Sequence, residues 1–247
     1  MNKKRIITRR NAIITGLGSL GGLLMAGCTK PLPPTYGNIL RMGDVLTYTA
    51  HRALLPGQSL AKEYSFGDIS SFPATGTTNP GDATKDYFSQ EYDHLRRTAF
   101  VDWKLTIDGR VARPGKFSLD ELQKLPARKQ ITRHTCEEGW SAIGEWTGVP
   151  LGLLLNAVGI LPTARFINFH TYDGWIDSID LLDAFHPQTI VAYGMNGRNL
   201  PIPHGAPVRM RVERQIGYKS VKYLKRIEVT DEFLDFGDIG WAWYTGI

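Results

Sequence analysis

The amino-acid sequence predicts a mixed α+β domain, and three observations support this. Val101–Ile107 alternates apolar and polar residues, which is typical of a half-buried strand, and Phe166–Thr171 is predicted as a further strand. Pro150–Val158 is an apolar stretch typical of a short helix, and Gly159 follows as a residue that can end it. Because strands and short helices alternate irregularly, we expect an α+β arrangement rather than a doubly wound parallel sheet.

Capping and turn residues place the other elements in chain order. Asp108-Gly109 predicts a turn after the first strand. Ser118 is followed three residues later by Glu121, a capping box that predicts the start of a helix. Asn196-Gly197 predicts a hairpin turn. Further strands are predicted at 130–136, 190–193, 208–212 and 227–229, with a short helix at 179–184.

The net charge separates the N-terminus from the rest of the chain. The 247 residues include 29 basic and 24 acidic side chains, which gives a formal charge of +5. Residues 1–27 contain no acid and these basic residues: Lys3, Lys4, Arg5, Arg9 and Arg10. The 24 basic residues that remain balance the 24 acidic ones, so the body of the protein is neutral. We therefore predict no nucleic-acid partner, and the 42% hydrophobic content excludes an intrinsically disordered chain.

The first 28 residues have the organisation of an export signal. A basic segment with the pair Arg9-Arg10, which resembles a twin-arginine signal, precedes an uncharged, glycine-rich run. That run is shorter than the roughly 20 apolar residues of a spanning helix. Leu24–Cys28 resembles a bacterial lipobox, and an ordinary cleavage site beside a cysteine is the alternative. We expect 1–28 to be a signal peptide, with lipidation at Cys28 and a location in the periplasm or on the outer face of the cell membrane.

Composition divides the rest of the chain. Residues 29–85 are predicted to form a tether and an irregular wrapping segment, because proline-rich residues 31–34 favour an extended chain and glycine, proline, serine and threonine cluster at 72–84. Strand and helix signals then predict a catalytic domain at 86–236, with a C-terminal tail at 237–247.

Cys136 is the first candidate for chemistry. The sequence has only two cysteines, too few for a disulfide scaffold or for a multi-cysteine zinc or iron–sulfur site. Three interpretations of Cys136 are open: an inert buried thiol, a nucleophile partnered by a histidine, or a thiolate ligand to a soft metal. Its predicted place between a strand and a polar, glycine-containing loop weighs against inert burial. As a metal ligand it would need further ligands from a cofactor.

Two later segments are also candidates for a binding site. Prolines and glycine around His204 fix the backbone and would aim a side chain, with a plain rigid loop as the alternative. Gly217–Lys222 offers backbone N–H groups, a hydroxyl and ammonium groups that suit a phosphate, with a solvated strand face as the alternative. The surrounding block 205–230 has Glu213 and Glu228 as its acids and these basic residues: Arg209, Arg211, Arg214, Lys219, Lys222, Lys225 and Arg226.

Taken together, these segments resemble the molybdopterin-binding domain of the sulfite oxidase family. The resemblance covers about residues 87–235 and rests on motifs in the family's order: Cys136–Ser141, Trp146–Leu151, Asn196-Gly197, His204–Arg209 and Gly217–Lys222. It implies mixed sheets with short helices and a molybdenum–molybdopterin cofactor. Within the family, the Cys-x-Glu-x-Trp-Ser pattern and the twin-arginine signal most resemble periplasmic methionine-sulfoxide reductase catalytic subunits, although His204 replaces an amide side chain of that group.

The resemblance also implies roles for individual residues. Cys136 would be the protein ligand of the metal, and Glu138 would handle protons near it. The positive block would meet the phosphate of the cofactor. The cofactor-contacting residues would be Thr171, His204, Arg209, Ser220, Val221 and Lys222, together with Ser89, Tyr92 and Asp93 from the segment before the first strand.

We therefore expect an exported oxidoreductase that performs oxygen-atom transfer by reducing S-oxides such as methionine sulfoxide. The substrate would be a small or protein-bound S-oxide. The expected electron partner is a quinol-linked haem protein of the membrane or a cytochrome, and a lipid anchor would hold the enzyme at the membrane. The alternatives are a sulfite-oxidising dehydrogenase and a non-catalytic envelope lipoprotein that uses the fold as a binding module.

Overall fold

The computed structural model describes residues 59–231, together with positions 46, 49, 50, 53 and 54. The predicted signal peptide, the predicted lipidation site Cys28 and the predicted tail at 237–247 lie outside the described residues. The predicted tether and wrapping segment is described only from residue 59 onward and at those five positions.

Residues 59–231 form ten strands and four short α-helices. The strands are β1 (Lys104–Gly109), β2 (Gly115–Ser118), β3 (Arg128–Thr135), β4 (Ser141–Pro150), β5 (Phe166–Thr171), β6 (Ile176–Asp180), β7 (Ile190–Met195), β8 (Arg198–Asn199), β9 (Arg209–Arg211) and β10 (Leu224–Thr230). The helices are α1 (Gln90–Arg97), α2 (Leu119–Lys124), α3 (Leu151–Val158) and α4 (Leu181–Ala184). Single 3₁₀ turns lie at Phe66–Asp68, Ile202–His204 and Gly217–Lys219. No helix in the described part of the chain is both long and apolar enough to span a membrane.

The strands make two sheets. The first has the order β2-β1-β10-β5-β6, in which β1 and β10 run parallel and the other neighbours run antiparallel. The second has the order β3-β4-β7-β8, with β9 also paired to β7, and its pairs are antiparallel. Mixed sheets with short helices confirm the predicted α+β class.

The main core contains residues of the first sheet, of α3 and of the second sheet. Leu105 and Ile107 of β1 are fully buried, as the alternation in the sequence predicts. Helix α3 buries positions spaced by three and four residues, which form one apolar face: Leu151, Leu154, Leu155 and Val158. Each such side chain stabilises the fold by about 1.5 to 3 kcal/mol on burial. Gly159 then ends α3 in the left-handed conformation, as predicted.

Several predicted elements have different bounds in the structure. The first strand begins at Lys104, because residues 101 and 102 belong to a turn that follows α1. The predicted helix at 179–184 is four residues long, since Ile179 lies in β6 and Asp180 caps the helix by accepting the Asp183 N–H. The capping box of Ser118 and Glu121 forms as predicted, at the start of α2.

Strand β4 is the largest element that the sequence pattern does not predict. It contains Gly144 and Gly148, residues that are usually depleted in strands. The structure supplies the reason at Gly148, where an added Cβ would lie 2.2 Å from the Val191 carbonyl oxygen of β7. The two strands therefore approach closely only because this position has no side chain.

Candidate active site

Cys136 lies in the tight turn that joins β3 to β4. Its N–H donates to the Trp140 carbonyl oxygen at 2.9 Å, and Gly139 N–H donates to the Cys136 carbonyl oxygen at 3.1 Å. Gly139 has φ +92°, a left-handed conformation that glycine adopts without strain. Along β3, alternate side chains face inward, so the Cys136 thiol is presented on the same face as His134.

A cavity of about 270 Å³ opens beside the Cys136 thiol. Five segments of the chain converge on it, although they are far apart in sequence. These segments are the strap (Phe72–Thr77), the β3–β4 turn with His134, the turn at Asp173–Trp175, the loop from Pro203 to Arg209, and the loop from Gly217 to Lys222.

The strap is held over the cavity by hydrogen bonds from Lys222 and Tyr223. The Lys222 ammonium group donates to the carbonyl oxygens of Thr75 (2.8 Å) and Thr77 in the strap, and of Pro203 (3.2 Å) in the neighbouring loop. The Tyr223 hydroxyl also donates to the Thr77 carbonyl oxygen, at 3.1 Å. The backbone of the strap therefore depends on two side chains from the opposite wall.

Phe72 anchors the strap in a cluster of rings. Its ring centroid lies 5.3 Å from that of His134, 5.4 Å from Trp146, 5.6 Å from His204 and 5.7 Å from Trp140. Three of these contacts have the edge-to-face arrangement that aromatic pairs prefer. The cluster gives the cavity an apolar wall beside the turn that carries Cys136.

Arg209 and Lys222 line the cavity as two cations without a directly paired carboxylate, and the carboxylates of Glu137, Glu138 and Asp173 line other parts of the same cavity. Arg209 is buried and donates to the carbonyl oxygens of Ser220 (2.6 Å) and His204 (3.1 Å). Among the described residues, neither cation has a carboxylate within 4 Å. Burial lowers the pKa of Lys222 to about 8, with Arg209 as the next cause, and lowers the pKa of His204 to about 4. Two cations without a paired carboxylate are costly to hold in a protein, so the part of the cavity beside Arg209 and Lys222 favours an anionic group of a ligand.

The other basic residues of the predicted positive block form ion pairs away from the cavity. This corrects the expectation that the positive block as a whole meets a phosphate. The other cations of the block have carboxylate partners that neutralise them: Arg211 with Glu213, Arg214 with Asp183, Lys219 with Asp177, Lys225 with Glu91, and Arg226 with Asp108 and Glu228. Only two of the seven basic residues therefore line the cavity.

The structure brings together most of the residues that the sequence singled out. The predicted residues that line the cavity are Cys136, Glu138, His204, Arg209, Ser220, Val221 and Lys222. Thr171 lies outside the lining and supports it, since its hydroxyl lies 2.8 Å from the Trp175 carbonyl oxygen and also contacts the Asp173 carboxylate. It thereby shapes a turn that lines the cavity.

Ser89, Tyr92 and Asp93 are not brought to the cavity lining. Ser89 caps α1 by accepting the Tyr92 N–H, and Asp93 pairs with Arg96 and Arg97. Tyr92 is fully buried, and its hydroxyl donates to the Ala206 carbonyl oxygen at 2.7 Å. Tyr92 therefore contacts the loop from Pro203 to Arg209 and does not line the cavity. Its position follows from its place in α1, which Ser89 caps.

Phe72, His134 and Trp140 line the cavity without having been singled out individually. The period of two along β3 is a signal that identifies His134, because it lies two residues before Cys136 on the same face. Trp140 lies inside the motif that begins at Cys136. Phe72 has no comparable signal, because it belongs to an irregular segment whose position depends on distant partners.

The arrangement suits a ligand with two chemically distinct parts. The Cys136 thiol is a soft donor that prefers a transition metal, and it is the only sulfur that the lining offers. Arg209 and Lys222 suit an anionic group such as a phosphate. Burial raises the pKa of Cys136, a backbone hydrogen bond from Glu138 opposes that rise, and the nearby Glu137 and Glu138 carboxylates add to it. A bound metal would therefore have to displace the thiol proton. The residues present therefore fit a metal group with an anionic arm.

Comparison with known proteins agrees with this chemistry. The family described as oxidoreductase molybdopterin binding domain matches residues 94–235, more than half of the chain. The chain is 37% identical over 156 residues to the "Putative protein-methionine-sulfoxide reductase subunit YedZ1" of Azospira oryzae, covering 62% of this chain and 60% of that protein. It is 33% identical over 148 residues to the protein-methionine-sulfoxide reductase catalytic subunit MsrP of Pseudomonas syringae pv. tomato, covering 53% of this chain and 44% of that protein.

These matches span less than two thirds of the length of either relative. Among solved structures, the sulfane dehydrogenase SoxCD from Paracoccus pantotrophus matches with a TM-score of 0.51 and 23% identity, over 53% of this chain and 39% of that one. This structural likeness concerns the fold alone. The family match decides the assignment: the chain belongs to the oxidoreductase molybdopterin-binding domain family, and it is an oxidoreductase whose cofactor is molybdenum–molybdopterin.

Proposed function

We propose that this protein is an exported reductase that removes the oxygen atom from S-oxides, with free or protein-bound methionine sulfoxide as its substrate. One observation carries the substrate proposal. Two relatives that are 37% and 33% identical are both named as subunits of a protein-methionine-sulfoxide reductase.

The residues that would hold the cofactor follow from the cavity. Cys136 would bind molybdenum, and Arg209, Lys222 and Ser220 would hold the phosphate of the pterin. When bound, the cofactor supplies the exchange of an oxygen atom and two electrons with the substrate. His204 and Val221 would contact the same group from the cavity wall.

The aromatic residues at the cavity mouth suit the methyl thioether end of the substrate. Phe72, Trp140 and Trp175 line the cavity and are each partly exposed. Sulfur and methyl groups pack favourably against aromatic rings. The indole of Trp140 is held in place because its Nε1–H donates to Glu138 Oε2 at 2.9 Å. These rings would orient the sulfur atom and exclude water around it.

Glu138 would deliver protons to the departing oxygen. Reduction of a sulfoxide takes up two electrons and two protons, and it yields a thioether and water. The Glu138 side chain is exposed and also lines the cavity, so its carboxylate connects solvent with the cavity. Because Trp140 occupies Oε2, the proton would be held at Oε1.

The proposed export and membrane attachment depend on the first 28 residues. We propose that they direct export by the twin-arginine route and that Cys28 is lipidated, which would hold the enzyme in the periplasm or on the outer face of the cell membrane. Electrons would come from a quinol-linked haem protein of the membrane or from a cytochrome. The support for this part is the sequence of the signal segment alone.

The decisive experiment is an assay of protein purified from a host that makes the cofactor, after its molybdenum and pterin contents are measured. A reduced viologen dye donates electrons to methionine sulfoxide, dimethyl sulfoxide and an N-oxide in parallel, and a dye acceptor tests sulfite oxidation. We expect kcat/KM to be highest for methionine sulfoxide. Oxidation of sulfite without reduction of any S-oxide would refute the proposed substrate class, and absence of molybdenum would favour a binding module.

A further inference from the structure

His134 is fixed from behind by a buried network of charged and polar groups. Arg211 NH1 lies 2.7 Å from His134 Nδ1, and both side chains are buried. The same guanidinium group donates to both carboxylate oxygens of Glu213, at 3.0 and 2.8 Å. Gln130 Nε2 donates to Glu213 Oε1 at 2.9 Å and completes the network.

This network determines which nitrogen of His134 carries the proton. A guanidinium group has only hydrogen-bond donors, so Nδ1 must accept from Arg211 and cannot bear a hydrogen. In a neutral imidazole the proton then lies on Nε2. His134 is therefore held as the Nε2–H tautomer by a partner that is itself fixed through Glu213.

The Nε2–H group of His134 faces the cavity and has no acceptor among the described residues. His134 is part of the cavity lining beside Gly217. A Cβ added to Gly217 would lie 2.6 Å from Nε2, so the absence of a side chain there keeps the space beside the donor open. A fixed donor in a buried wall without a protein partner is suited to an acceptor atom of a ligand.

We propose that His134 is a cofactor-binding residue that donates a hydrogen bond from Nε2 to an acceptor atom of the bound molybdenum cofactor. The burial of His134 favours the cofactor over the substrate as the ligand that accepts this hydrogen bond. The His134 side chain is 7% exposed, whereas Glu138 and the aromatic rings of the mouth reach solvent. His134 also faces inward near the end of β3, two residues before Cys136, which follows the strand directly. A cofactor bound to Cys136 would therefore lie in the cavity that His134 also lines.

Two substitutions separate the two nitrogen atoms of His134. His134→Asn keeps an acceptor near the position of Nδ1 and removes the donor at Nε2. His134→Gln keeps a donor near the position of Nε2 and loses the acceptor for Arg211. Molybdenum and pterin per mole of purified protein, and their rate of loss during dialysis, report cofactor binding. Urea unfolding of cofactor-free protein reports the contribution of His134 to the fold.

We expect His134→Asn to release cofactor about tenfold faster than the wild type, as loss of one hydrogen bond predicts, and His134→Gln to stay within about twofold. The cofactor-free proteins should show the reverse order of stability, because only His134→Gln leaves Arg211 NH1 without its acceptor. A purely structural role would make His134→Gln the worse variant in both measurements, and that result would overturn the proposal. So would equal cofactor release from wild type and His134→Asn.

Hydrogen exchange of the His134 ring in the wild type tests the proposal even if neither variant folds. In protein labelled with ¹⁵N-histidine, the Nε2–H proton of His134 should become protected from exchange with solvent when the cofactor is bound, and unchanged exchange would contradict the proposal. The inference rests on the cofactor and not on the proposed substrate. Loaded wild-type protein that reduces no S-oxide would refute the substrate while leaving the role of His134 intact.

Discussion

Lys222 Nζ donates a hydrogen bond to the Thr75 carbonyl oxygen at 2.8 Å, and this contact joins the wall of the cavity to the strap that covers it. The same ammonium group lacks a carboxylate partner within the described residues. A bound anion would therefore compete with the strap for the hydrogen atoms of Lys222. The position of the strap and the occupancy of the cavity are linked through one side chain.

The first prediction concerns the strap in cofactor-free protein. Lys222→Met removes the hydrogen bonds to Thr75 and Thr77, so we expect thermolysin to cleave near Phe72 at least about fivefold faster than in the wild type. The cleavage site is identified by mass spectrometry. Lys225→Met is the matched control, because Lys225 pairs with Glu91 on the surface and should leave the rate unchanged. Equal cleavage of all three proteins would contradict the role of Lys222.

The second prediction concerns the pH dependence of anion binding by cofactor-free protein. Burial and Arg209 lower the pKa of Lys222 to about 8, so the side chain loses its charge as the pH rises through that value. Only the charged form attracts an anion, and at pH 9 about one molecule in ten keeps it, so the dissociation constant should rise about tenfold between pH 7 and 9.

Sulfate is the appropriate probe for this titration, because its own charge is constant over that range. Isothermal titration calorimetry gives the affinity at each pH. Lys222→Met should bind sulfate more weakly at pH 7 and should lose most of the pH dependence. A wild-type affinity that stays constant up to pH 9 would show that Lys222 does not titrate in this window.

The parts of the site that sequence predicted are those encoded by local patterns. The strand that leads to Cys136 is marked by its residue type and spacing, and the hairpin turn at Asn196-Gly197 forms with both residues at positive φ. Arg209 and Lys222 lie in segments whose glycines and prolines indicate unusual backbone paths. In these cases the signal and the structure it specifies lie within a few residues of each other.

The parts that sequence did not predict depend on distant partners. Lys225 and Arg226 belong to the same positive block as Lys222, but they pair with Glu91 and Asp108, which lie 134 and 118 residues away in sequence. Phe72 reaches the cavity through distant partners: Lys222 and Tyr223 hold the strap, and the neighbouring Ser70 is hydrogen-bonded to Ile143 of β4. No local pattern encodes such pairings, since they arise when the two sheets and their loops pack together.

The third prediction concerns Cys136 as the metal ligand. Cys136→Ser replaces a soft sulfur donor with a hydroxyl, so the thiolate-to-metal absorption should vanish and turnover should fall by at least about 100-fold. The fold should persist, because within the described residues the side-chain hydrogen bond of Sγ is a long one, to Glu137 Oε2 at 3.5 Å, and serine has nearly the same size as cysteine. Cys28→Ser is the matched control, which should keep the absorption and lose any attached lipid by mass spectrometry. Full activity in Cys136→Ser would exclude its role as ligand.

The fourth prediction concerns the close approach of β4 and β7. Gly148→Ala places a Cβ within 2.2 Å of the Val191 carbonyl oxygen, and backbone atoms can relieve that overlap only if the strands separate. We expect the free energy of unfolding to fall by about 3 kcal/mol, as for overpacked cores. Gly144→Ala on the same strand is the control, since its nearest neighbour would be Phe72 Cδ2 at 3.4 Å. Similar urea midpoints for the two variants would show that the strands adjust freely.

The fifth prediction concerns the buried ion pair behind the loop from Gly217 to Lys222. Lys219 Nζ donates to Asp177 Oδ1 and to the Ser178 carbonyl oxygen, both at 2.8 Å, and the two side chains of the pair have no exposed surface. Lys219→Met leaves the Asp177 carboxylate buried without a counterion, so we expect a loss of about 3 to 5 kcal/mol in the free energy of unfolding.

The double variant Asp177→Leu with Lys219→Met tests whether this loss comes from the uncompensated charge. Removing both partners removes the unpaired carboxylate, so the double variant should recover most of the stability lost in Lys219→Met. Lys219 also fixes the turn that presents Gly217 and Ser220 to the cavity, and Leu and Met cannot replace its hydrogen bond to Ser178. The double variant should therefore fold with near wild-type stability and still retain less molybdenum cofactor than the wild type. Normal cofactor content in a stable double variant would show that the loop holds its shape without this ion pair.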